Sequence, residues 1–312
     1  MTELDAYRAW LEAFPRHEFF HALSRHRPYA TPETAYDTEA AIDLHRGRFL
    51  ADAVAAVAPG LSGICLEIGC GTGRLTCGLV AAAGFSRYLV TDASADFLRI
   101  TRGKLERAGV AASAVDFGLF NGEDFDAIGF DRFALIALRS VLHHITDYKA
   151  FFAALARRLK PGGVVALLEP RAEFFLMTST LLGVLPALAA QGGTPLDGAE
   201  AAHLAGFEDA TRFYLDRTAD KAAAEDKYAF TGDELFGLAA ENRMTLHRMG
   251  GEYRQDYAFD VADYLRWCMG FPDGLMAKIE RALGAHIRRI DETLKDLRPL
   301  NAAEWLLFRK GG

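Results

Sequence analysis

Cysteine is scarce in this chain of 312 residues: there are four, Cys65, Cys70, Cys77 and Cys268. None belongs to a CxxC pair and no His/Cys cluster has zinc-site spacing, so no metal is expected. With no signal peptide at the start either, the cysteines read as reduced thiols in a cytoplasmic protein. Basic charge is also short, with 35 Lys+Arg against 42 Asp+Glu and a net charge of −7. No basic stripe is present, which argues against nucleic acid or an acidic membrane as partner. The longest apolar run, "TLLGVLPALAA" near residues 180–190, is too short to span a bilayer and contains Pro186; a buried cap helix is expected instead. Internal repeats and low-complexity tails are missing. What is there is ordinary for a soluble globular protein, 51% hydrophobic and 25% charged residues. The length favours a core with a second lobe.

Residues 1–58 read as a helical N-terminal lid, broken by the proline-bearing loop "RHRPYATPETAYD". The pattern then changes. "GICLEIGCG", "RYLVTDAS", "AASAVDFGLF", "DRFALIALRSVLHHI" and "VVALLEP" offer five apolar strands, separated by helical stretches such as "ADFLRITRGKLERAG". Short apolar strands alternating with helices indicate a parallel sheet buried on both faces, doubly wound by right-handed crossovers. This α/β core covers 59–170. After Pro170 the alternation stops: 171–230 reads as a helical cap insertion and 231–257 as a continuation of the core. Residues 258–299 form a second helical insertion and 300–312, with "AEWLLFRK", a final core strand.

The stretch "LEIGCGTGRLT" (66–76) carries the chemistry. Gly69, Gly71 and Gly73 follow a predicted strand, where bare backbone lets a ligand approach closely at the carboxyl edge of the sheet. The spacing is G-x-G-x-G, unlike the G-x-G-x-x-G of dinucleotide folds or the phosphate loop with its lysine. Glu67 is a poor neighbour for a pyrophosphate and a good one for an ammonium. Amides near Thr72 and Gly73 can take a carboxylate. The second strand ends in Asp92, an acceptor for ribose hydroxyls. Together these features ask for a nucleoside with an amino-acid end. Cys70 reads as a close-packed small residue of the loop.

These residues resemble the class I S-adenosylmethionine-dependent methyltransferases: "LEIGCGTGRLT" looks like their first motif and "LVTDAS" like their second-strand motif. "SVLHHI" with "LARRLKPGGVVALLEP" is similar to the fourth and fifth strands of the small-molecule branch. The resemblance implies a Rossmann-like, mostly parallel seven-stranded sheet of order 3-2-1-4-5-7-6. It also implies S-adenosyl-L-methionine as cofactor and S-adenosyl-L-homocysteine as product. Gly69, Gly71 and Gly73 would surround the methionine part, Glu67 support its amino end, Asp92 hold the ribose, and Ala93 lie beside the adenine. Asn121 or Glu123 would meet the adenine after the third strand, and Arg139, closing the fourth, is counted with the cofactor residues. His143 and His144 follow the fourth strand at the switch point, where a neutral histidine can take a proton from an acceptor; each can equally be a packing residue. Glu169 at the end of the fifth strand, Tyr36 in the lead-in and Trp267 among the inserted aromatics are substrate-side candidates. The acceptor implied is a small molecule methylated on O or N, with homodimer formation open. A non-methylating user of the cofactor, a protein methyltransferase and an inactive binding module are the alternatives.

Overall fold

In the computed structural model, residues 2–24, 44–122, 124, 128–250, 256–294 and 300–312 are described. They form two compact units. The first comprises Met1–Leu168, Leu235–Met249 and Leu306–Gly312; the second comprises Glu169–Glu234 and Gly250–Trp305.

The first unit opens with α1 (Glu3–Leu11), started by a reciprocal capping box between Thr2 and Asp5. The lead-in then departs from the helical reading. Residues Arg16–His17 (β1) and Phe20–Ala22 (β2) form an antiparallel hairpin, and β2 runs parallel to a strand of the main sheet. Helix α2 (His45–Val57) follows; residues 25–43, with Tyr29 and Tyr36, lie outside the described residues.

From β3 (Ile64–Ile68) onward, strand and helix alternate. The elements are α3 (Thr76–Ala82), β4 (Arg87–Asp92), α4 (Ala95–Arg107), β5 (Val115–Leu119), β6 (Phe133–Arg139), α5 (Tyr148–Arg158) and β7 (Leu159–Pro170). All five residues of β3 are buried, as expected for a strand covered on both faces. Ser94 caps α4 by accepting from the Asp96 and Phe97 amides, and Gly109 follows its end with φ +72°. β3 pairs in parallel with β4 and β6, β4 with β5, and β6 with β7. Later come α8 (Gly232–Glu241), β8 (Met244–Gly250) and β9 (Ala303–Lys310). The sheet is mixed and has nine strands where seven were expected, in the order β1-β2-β5-β4-β3-β6-β7-β9-β8. The difference arises at the edge beside β5, where the short hairpin continues the pairing.

Near the amino ends of β4 and β5, Asp116 binds Arg87 through two hydrogen bonds of 2.6 and 2.5 Å and accepts from the Tyr7 hydroxyl at 2.8 Å. This cluster ties α1 to the sheet, and burial pushes the Tyr7 phenol well up.

The second unit is helical: α6 (Ala172–Gln191), α7 (Gly198–Leu215), α9 (Tyr257–Asp263), a π-turn at Tyr264–Cys268 and α10 (Asp273–Leu294). The core continuation expected through residue 257 gives way to α9, whose start Asp256 caps by accepting from the Phe259 amide. The apolar run judged too short for a bilayer belongs to the longer α6, which by length and composition could cross one. Phe174, Phe175, Leu182 and Leu185 of α6 pack into this unit's core with Phe207, Tyr257, Phe271 and Leu275. Leu176, Met177 and Val184 remain exposed.

Candidate active site

The glycine loop joins β3 to α3 and is hydrogen-bonded to the end of β4. Gly69 and Cys70 both donate their amides to the Thr91 carbonyl at 2.9 Å, and the Gly73 amide donates to Cys70 O at 2.9 Å. Gly69, Gly71 and Gly73 take φ values of +73°, +51° and +78°, a left-handed region that side chains resist. This explains glycine at every second position. At Gly71 only the dihedral demands it, because a Cβ would meet nothing within 4 Å. That open side is room for a ligand against bare backbone. The Gly73 amide, expected to receive a carboxylate, is instead already engaged inside the loop.

Asp92 ends β4 and is 2% exposed. Its carboxylate accepts from the Gly71 amide at 2.8 Å and from the Ser94 amide at 2.9 Å, so it pins the loop. Thr101 on α4, which sequence reading missed, donates its hydroxyl to Gly71 O at 2.9 Å. Ala93, beside Asp92, is partly exposed. The Phe120 amide donates to Asp92 O at 2.8 Å, which brings Asn121, next in the chain, toward this edge. Glu123 lies outside the described residues.

Glu67 sits mid-sheet, opposite Val90 on β4 and Ala137 on β6. Burial raises its carboxyl pKa to about 8; the Asp92 charge adds to the rise, while Thr76 and Arg139 pull it down. The Thr76 hydroxyl, fully buried at the start of α3, has no well-formed hydrogen bond to a described residue. A cation arriving here would find an acid ready to ionise. Cys70 is buried, and desolvation holds its thiol well above the usual range, which makes it a packing residue and a poor nucleophile.

The turn after β6 reaches the same loop. A Cβ on Gly69 would lie 2.5 Å from Cγ2 of Val141. Ser140 takes φ +57°, unusual for a residue with a side chain, and its amide donates to Leu168 O at 2.9 Å. This bend leads into a single 3-10 turn, Leu142–His144. His143 is buried, His144 is partly exposed, and their rings meet in a tilted arrangement with centroids 4.0 Å apart. Gly69→Ala should therefore cost affinity and stability together, by about 2–4 kcal/mol in stability. Thermal melting with and without S-adenosylhomocysteine checks it; a variant that melts and responds like the parent contradicts the packing.

The first unit thus gathers Glu67, the glycine loop, Asp92, Arg139, His143 and His144. Two substrate-side candidates belong to the second unit. Glu169 ends β7 and is fully buried, whereas Trp267 is 81% exposed and stands apart from the aromatic core. Tyr36 lies outside the described residues.

Comparison with known proteins bears on the same segment. Residues 66–165 match the family model described as a methyltransferase domain. A reducing polyketide synthase of Preussia isomera is 33% identical over 125 residues, covering 39% of this chain and 5% of the synthase. A ubiquinone biosynthesis O-methyltransferase of Thiobacillus denitrificans is 32% identical over 115 residues, covering 36% of this chain and 47% of that enzyme. The chain thus spans less than half the length of these curated relatives. A solved S-adenosylmethionine-dependent methyltransferase from Clostridium acetobutylicum aligns over 89% of this chain and 97% of its own, at 14% identity and a TM-score of 0.49. Residues 66–165, which carry the bare loop, the pinned aspartate and the buried glutamate, thus match a methyltransferase domain.

Proposed function

We propose that the chain transfers a methyl group from S-adenosylmethionine to an oxygen or nitrogen of a small molecule. The observation that supports the reading is the packing of Val141, which leads into the His143–His144 turn, on Gly69 of the glycine loop. When bound, the cofactor supplies a methyl group on a positively charged sulfur, already activated toward in-line displacement. The protein's part is alignment and proton handling. Asp92 accepts from the ribose hydroxyls, and Glu67, once ionised, pairs with the ammonium. Gly71 leaves room for the methionine chain. His144, the more exposed of the pair, takes the proton of a hydroxyl acceptor at a ring nitrogen, with the His143 ring beside it. An amine acceptor needs only to arrive deprotonated.

The test is release of S-adenosylhomocysteine from S-adenosylmethionine against a panel of hydroxyl- and amine-bearing metabolites. His144→Ala should slow transfer to a hydroxyl acceptor by about 100-fold or more and leave cofactor affinity unchanged. Turnover of a hydroxyl acceptor at parental rate in that variant removes the histidine from the chemistry. Cofactor binding without product from any acceptor class favours a binding module.

A further inference from the structure

Helices α2 and α3 meet on bare backbone. A Cβ on Gly47 would fall inside the Leu79 amide nitrogen and the Gly78 carbonyl carbon, and one on Gly78 would lie 2.5 Å from Leu44 O and 2.9 Å from Gly47 Cα. The requirement is reciprocal: at this crossing neither helix has space for a methyl group. Carbon atoms in contact sit about 3.5–4.0 Å apart, so an alanine at either position must push the helices apart by roughly 1 Å or more. The contact falls within the first turn of each helix. On α3 that turn starts at Thr76, beside the Glu67 carboxyl and three residues beyond Gly73. Thr76, Cys77, Gly78 and Leu79 are all buried, so the first turn of α3 sits within the core, where a shift disturbs its neighbours. Asp92, by contrast, is held by the Gly71 and Ser94 amides, away from this crossing.

We propose that Gly47 is a positioning residue for the amino-acid end of the cofactor: its bare backbone lets α2 set the height of α3, and with it the placement of Thr76 and the turn closing the glycine loop. The inference rests on the S-adenosylmethionine reading above.

Two ligands separate this role from general stability. S-Adenosylhomocysteine carries the amino-acid end, and 5′-methylthioadenosine has the same nucleoside without it. Calorimetric titration well below the melting temperature should find Gly47→Ala weakened for S-adenosylhomocysteine by about tenfold or more, and for methylthioadenosine by less than about twofold. Gly78→Ala should show the same split. Equal losses for both ligands, or none for either, overturn the proposal. Should both variants fail to fold, the parent chain carries the test by amide hydrogen exchange. S-Adenosylhomocysteine should slow exchange over residues 44–50 as well as at the loop, and unchanged exchange at 44–50 overturns it. A parent chain that binds neither ligand overturns the cofactor reading, and this inference with it.

Discussion

Asp92→Ala should weaken S-adenosylhomocysteine binding by about 100- to 1000-fold. Two effects combine. Hydrogen bonds to a charged carboxylate contribute about 1.5–3 kcal/mol each, and the alanine removes those proposed to reach the ribose. It also strips the acceptor from the Gly71 and Ser94 amides, which Asp92 holds at 2.8 and 2.9 Å. The loop then loses one of the bonds that keep Gly71 in its left-handed conformation, so part of the ligand's binding energy must go into reordering it. Asp92→Asn preserves shape but turns an amide donor toward one of two donors, and an intermediate loss is expected. Isothermal titration reads both variants. Affinity within threefold of the parent for Asp92→Ala would remove this residue from the site.

The second large effect is on pH. The Glu67 carboxyl is pushed up to about 8 by burial and by Asp92, against Thr76 and Arg139. The other titratable groups around it are Cys65, Cys70 and Cys77, whose thiols are raised and stay neutral. In the free protein Glu67 is therefore protonated at neutral pH. An ammonium favours the ionised form, so binding below about pH 8 should release close to one proton. Affinity should rise by up to about tenfold per pH unit until about pH 8 and then level off. Titrations in buffers of different ionisation enthalpy count the proton directly, and Glu67→Gln should abolish the dependence. A pH-independent affinity between 6 and 8 in the parent contradicts this account. Stability of the free protein follows the same linkage with its own sign. The folded pKa lies above the ordinary value of 4.5, so the folded state holds the extra proton between 4.5 and about 8. The stability associated with Glu67 is fully present below 4.5 and declines as pH rises through about 8.

Much of this site is readable in the chain because its determinants are local. The left-handed backbone at Gly69, Gly71 and Gly73 needs glycine wherever the loop occurs, and Asp92 falls at a strand end that hydrophobic patterning reveals. What escapes the sequence depends on contacts between distant positions or on very short elements. β1 and β2 have two and three residues, too few for a period-2 pattern to register. Thr101 comes thirty residues after Gly71 in the chain, beyond β4, and nothing in "ITRGK" marks it. Ser140 is bent by its place between β6 and the turn, not by its own chemistry. The Gly73 amide looked free because the loop's internal bond to Cys70 O closes only in three dimensions. Trp267 illustrates the converse, an aromatic residue whose type suggests a pocket and whose 81% exposure denies it core packing.

The central claim is that the turn after β3 receives a nucleoside ending in an amino acid, not a dinucleotide. Parallel calorimetric titrations of the parent chain with S-adenosylmethionine, S-adenosylhomocysteine and NAD test it most directly. The account predicts saturable one-to-one binding of the two sulfur nucleosides and no heat with NAD. Saturation by NAD, with the sulfur nucleosides inert, would contradict it.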